Sequence, residues 1–125
     1  MELSTFYVND TEEQVLQKRS FLELKGWIST LNYCVEESSM LLKIAKNNVK
    51  DRALSDLLLE MKKGSATFLG ELINYRNSID NLKECTDLSC DLFYLNRHET
   101  MREKMTKHIA VYRNLKNNLY ASILK

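Results

Sequence analysis

His98 and His108 are the two imidazoles of the chain, and imidazole is the side chain that transfers protons and binds metals near neutral pH. Both fall on the apolar series of one helical stretch. Ten residues separate them, about 15 Å along a helix axis, so one site cannot use both. When the chain is folded back into antiparallel rods, as set out below, Glu23, Glu71 and Glu99 reach similar heights with His98 beside them. Glu23, Glu71, His98 and Glu99 are therefore the set from which a metal site or an acid-base pair would be built. The ordinary alternative is a solvated rim of glutamates flanking an apolar stripe, with each histidine at the edge and one nitrogen in water. A di-iron bundle would need Glu-x-x-His pairs on two helices, and no glutamate here has a histidine three residues later. No cofactor is implied.

A second local pattern lies in Glu60-Met61-Lys62-Lys63-Gly64-Ser65-Ala66-Thr67-Phe68-Leu69-Gly70. Lys63, Gly64, Ser65 and Gly70 match the signature of histidine-containing phosphotransfer domains, which this stretch resembles over about eleven residues. The resemblance implies a helical bundle whose acceptor histidine precedes the Lys-Gly-Ser by three residues. That position is Glu60 here, and a carboxylate cannot replace imidazole as the phosphate-accepting nucleophile. Phosphotransfer at Glu60 is excluded, and the small residues Gly64, Ser65 and Ala66 read as aids to close helix packing. Cys34, Cys85 and Cys90 form no CxxC pair, which argues against a disulfide framework or a standard zinc site. Cys85 and Cys90 can pair across a turn if oxidised.

These residues need elements to hold them. The chain has no proline and only three glycines, so the usual punctuation of turns and sandwiches is missing and helix is expected throughout. Asn9 or Asp10 with Glu12 or Glu13 makes a capping box for a first helix starting near Thr11. Phe21, Leu24, Ile28, Leu31, Val35, Ser38, Leu42 and Ala45 then recur at steps of three and four to about Asn47, with Trp27, Cys34 and Leu41 widening the stripe and a turn at Asn47-Asn48. Leu54, Leu58, Met61, Ser65, Phe68, Leu72, Tyr75, Ile79 and Leu82 keep coiled-coil heptad spacing in a second helix that runs to about Lys83. Thr86 or Asp87 caps a third, whose stripe shifts from Leu88, Leu92 and Leu95 to Tyr94, His98, Met101, Met105, His108, Tyr112, Leu115 and Leu119. Asn96 with Glu99 resembles another cap there. The expectation is an all-α antiparallel bundle of three long helices, the third broken near Asn96 in a four-helix variant. Residues 1–9 form an extended lead-in and 10–125 one domain. The expected core seam contains Leu31, Leu58, Phe68, Leu72, Met105 and Tyr112.

With 18 Lys and Arg against 17 Asp and Glu, there is no excess charge to neutralise nucleic-acid phosphates or hold an anionic membrane. No signal segment or run of about 18 apolar residues is present, so a cytoplasmic protein is expected. An interaction or scaffolding bundle without catalytic chemistry fits these features. A degenerate phosphotransfer-like signalling bundle and a metal-binding bundle are the alternatives. The partner is a protein or a second copy in a homodimer, with no nucleic acid, membrane or small-molecule substrate. Two apolar flanks offer contact: Leu16, Trp27 and Leu41, or Leu57, Phe93 and Leu95. Folding the rods antiparallel gathers Asp10, Glu12, Glu13, Asp80, Glu84, Asp87 and Asp91 at one end. Lys43, Lys46, Lys50, Arg52, Arg113, Lys116 and Lys125 gather at the other; set against Lys18 and Lys83 at the first end and Asp51 and Asp56 at the second, each end carries about five net charges.

Overall fold

The computed structural model describes residues 12–79 and 88–125. Helix α1 spans Glu12–Ile44, α2 spans Arg52–Ser78 and α3 spans Leu88–Ile123. No strand occurs among the described residues. Glu23 of α1 meets His98 of α3 and Glu37 meets Tyr112, so α1 and α3 run in the same direction. Tyr75 of α2 meets His98 while Ser65 meets His108, so α2 runs against both. The result is an up-down-up all-α bundle.

The reversal between α1 and α2 falls later than Asn47-Asn48. Instead of stopping there, α1 widens into a π-helical turn over Ala45–Val49, which keeps Ala45 buried and Val49 packed against the same cluster. Lys50 then adopts left-handed φ and ψ of 57° and 39°, and its backbone N–H closes on the carbonyl of Ala45. A non-glycine residue pays for that conformation, and the cap beyond it offsets the cost. The Asp51 carboxylate accepts from the backbone N–H of Leu54 at 3.0 Å, satisfying one of the orphan donors at the start of α2. The expected caps at Asn9, Asp10, Thr86 and Asp87, the lead-in, and the end of the second helix near Lys83 lie outside the described residues.

All six expected seam residues are buried, and α2 buries its heptad positions from Leu54 to Tyr75 without interruption. The core has two halves. One, toward the α1–α2 hairpin, centres on Leu41, Leu58, Tyr112 and Leu119. The other centres on Leu24, Leu31, Phe68, Leu72 and Met105. Ile109 packs against both halves.

The expected break near Asn96 does not occur, because α3 is continuous from Leu88 to Ile123. The shift of stripe has another cause. Leu92 and Leu95 face outward, whereas Tyr94, His98 and Met101 turn inward on the same unbroken helix. Asn96 does not start a helix; its carbonyl accepts from Thr100 Oγ1 at 3.0 Å within α3.

Candidate functional site

His98 is 2% exposed and uses both ring nitrogens. Its Nε2 lies 2.7 Å from Glu23 Oε1 on α1, and its Nδ1 lies 2.8 Å from the Tyr75 hydroxyl on α2. Ionised Glu23 can only accept, so Nε2 carries the hydrogen and, in the neutral ring, Nδ1 accepts from the Tyr75 O–H. Trp27 stacks on the imidazole at 4.9 Å between centroids. The edge position with a wet nitrogen expected for His98 is thus corrected: one group from each neighbouring helix closes over it. Arg102, one turn farther along α3, grips the same carboxylate with Nε at 3.0 Å and Nη2 at 2.6 Å. Its third contact is to Glu99. The Arg102 guanidinium holds the Glu23 carboxyl below the usual carboxylate range against the opposing pull of burial. Burial pushes the Tyr75 phenol up to about 12, so it remains a neutral donor.

The same arrangement recurs fourteen residues along. Glu37 on α1 accepts from the Tyr112 hydroxyl, from Lys116 Nζ at 3.0 Å and from the Tyr33 hydroxyl at 2.9 Å. Burial alone would raise its carboxyl, but hydrogen bonds from Tyr112, Lys116 and Tyr33 leave it lowered. Glu23 with His98 and Arg102, and Glu37 with Tyr112 and Lys116, are therefore two copies of one latch. A carboxylate on α1 takes a ring and a cation from successive turns of α3. Fourteen residues are two heptads, which return the same faces of two parallel helices to each other. The signal was present in the sequence as equal spacings, Glu23 to Glu37, His98 to Tyr112 and Arg102 to Lys116, but reading each helix separately hid it.

Of the four proposed metal ligands, the fold joins Glu23 to His98 and brings Glu99 near through Arg102. Glu71 is not among them; it pairs with Lys104 at 3.0 Å on the α2–α3 side. Cation charge at the Glu23 cluster is supplied by a guanidinium, and no group of three or more His, Cys, Asp or Glu among the described residues is arranged to hold a metal. Cys34 is buried in the core, and burial pushes its thiol up. Cys85 and the Cys90 side chain lie outside the described residues.

His108 meets Ser65 Oγ at 2.7 Å and touches Phe68 edge-on; burial pulls its imidazole down. Within the Lys-Gly-Ser stretch, Ser65 is fully buried while Glu60, Gly64 and Ala66 are exposed. The packing role expected of the small residues holds for Ser65 alone. A Cβ on Gly64 would meet no heavy atom within 4 Å.

The candidate contact residues separate into three places. Lys43, Lys46, Lys50 and Arg52 surround the hairpin, exposed and in no ion pair among the described residues. Trp27 is half-buried against His98. Phe93 is 59% exposed near the start of α3. Leu41, expected on a surface flank, is instead in the core. Leu57 is exposed at the hairpin end, about 35 Å along the axis from Phe93 and Leu95, so those three form no single patch. No helix among the described residues is long and apolar enough to cross a membrane. Comparison with protein-family models, with curated proteins and with solved structures finds no match to this chain.

Proposed function

We propose that the chain is a protein-interaction bundle whose cationic hairpin end contacts an acidic surface of another protein. The observation that carries this reading is a contrast in how cations are used. Along the shaft, Arg102, Lys104 and Lys116 are each bound to a glutamate of another helix, and exposed cations outside these pairs, such as Lys63 and Lys107, are dispersed over separate helices. At the hairpin, Lys43, Lys46, Lys50 and Arg52 fall together and have no such partner among the described residues, and the nearby Asp51 carboxylate caps α2. Some of this charge compensates the C-terminal dipole of α1, but Lys50 and Arg52 lie past that terminus. The four cations outnumber the neighbouring Asp51 and Asp56, and the net positive charge steers an anionic partner at long range, with an effect that fades as the Debye length falls from about 10 Å at 0.1 M salt to about 3 Å at 1 M. The polar groups of the two latches argue in the same direction, because Glu23, Glu37, Tyr75 and His98 are all occupied by one another or by neighbouring side chains.

The test is pairwise association. Proteins retained by the immobilised chain are identified, and their affinity is measured against salt for the wild type and for the variant with Lys43, Lys46 and Lys50 changed together to Glu. Binding that weakens with salt and is lost in the variant supports the proposal. Binding indifferent to both removes the hairpin end from recognition and leaves the apolar surfaces to carry it.

A further inference from the structure

A groove of about 530 Å³ runs between α2 and α3 on the side away from the Glu23 and Glu37 latches. Met61 and Phe68, both buried, form its floor, and Val111, half exposed, forms part of its wall. The lining positions on α2 are 61, 64, 67, 68 and 71, and those on α3 are 104, 107, 108 and 111. These steps of three and four are the ridges between which another helix packs.

Gly64 adds a second observation. It lies inside α2 with ordinary helical φ, and its missing side chain makes room for nothing in this chain. Glycine there costs about 0.5–1 kcal/mol relative to alanine, with no internal contact that requires it. An open backbone at the wall of a groove is what close approach from outside needs. Gly26 and Gly70 are equally uncrowded but do not line this groove.

The third observation is charge. Glu71 at the groove is neutralised by Lys104, whereas Lys107 is exposed and forms no ion pair among the described residues. The complement of this edge is a carboxylate. The groove is also open along its length rather than closed around a cavity, which suits a helix laid into it better than an enveloped small molecule. We infer that the α2–α3 groove receives an amphipathic α-helix of a protein partner, its apolar face over Met61 and Phe68, its backbone close to Gly64 and an acidic side chain beside Lys107. This rests on the reading of the chain as an interaction module, but not on the hairpin end being the contact.

The probes are two synthetic amphipathic peptides of about 18 residues, long enough to hold a helix. They share one Leu/Ala face and carry either Glu or Lys on the flanks. Binding is followed by anisotropy and by amide chemical shifts of the full chain. The Glu-flanked peptide is expected to bind about three- to tenfold tighter than its Lys twin, with shifts at Met61, Gly64, Phe68 and Val111. Gly64→Trp, at an exposed and uncrowded site, fills the groove and weakens binding at least about tenfold. Val111→Glu serves as a second block from α3, and Lys107→Glu reverses the preference between the peptides. The inference is overturned if neither peptide binds, or if Gly64→Trp and Val111→Glu bind as the wild type does. Loss of binding only in the Lys43, Lys46 and Lys50 triple variant overturns the groove while leaving the hairpin proposal standing. A wild-type dimer that becomes monomeric in Gly64→Trp, with no peptide bound, overturns the foreign helix in favour of a second copy.

Discussion

At the scale of single residues, His98 has both ring nitrogens engaged in the interior, whereas Ser38 Oγ is buried without a partner among the described residues. Changing Tyr75 to Phe keeps the ring but leaves His98 Nδ1 without a donor in a site closed to water, a loss of about 1–3 kcal/mol. Denaturant unfolding measures it, and Trp27, the only tryptophan, reports the same layer by its emission. A midpoint equal to wild type would mean that Tyr75 and His98 pack without bonding. His108 gives a pH dependence whose sign follows from its lowered folded value. Its contribution to stability is complete above the ordinary value of 6.5 and is lost as pH falls from there through the folded value, because the unfolded chain takes up the proton first. Glu23 and Glu37, also lowered, act in a separate window below 4.5. The melting midpoint is expected to fall on acidification below about pH 6.5, and His108→Gln to flatten that first decline only. The sequence placed both histidines on the apolar series and set Glu23 beside His98, but it did not place Tyr75 or Ser65, which arrive from α2.

At the scale of elements, α2 is the best-determined part of the chain. Its heptad seam was legible because every step from Leu54 to Tyr75 is three or four and each such position is buried. Phe68→Ala is expected to cost about 3 kcal/mol through lost transfer energy and a cavity, and a thermal melt would show it. Two further changes separate local from tertiary effects. Asp51→Ala removes the cap to Leu54 and is expected to cost about 1 kcal/mol. Gly64→Ala is expected to stabilise the isolated chain by about 0.5–1 kcal/mol, since the added methyl meets nothing. A destabilised Gly64→Ala would show that the space beside α2 is filled in solution. The hairpin was misplaced by three residues because Asn47-Asn48 carries the turn propensity, whereas burial of Ala45 and packing of Val49 draw the helix onward to Lys50.

At the scale of the whole molecule, the two latches tie α3 to α1 at points fourteen residues, or about 21 Å, apart. With no shared partner, Glu23→Gln and Glu37→Gln are expected to add within about 0.5 kcal/mol in a double-mutant cycle. Strong non-additivity in denaturant unfolding would mean that α3 leaves the α1–α2 hairpin as a unit once either latch fails. The sequence by itself determined that the chain is helical and where its main apolar seam runs, because composition, periodicity and helical spacing are local properties. Tertiary structure alone decided that Glu71 leaves the His98 cluster for Lys104, that Arg102 takes the place between Glu23 and Glu99, and that α3 passes Asn96 without a break. Those outcomes depend on the rotation of each helix about its own axis, which is set where all three faces meet at once and cannot be read from the period of any one of them.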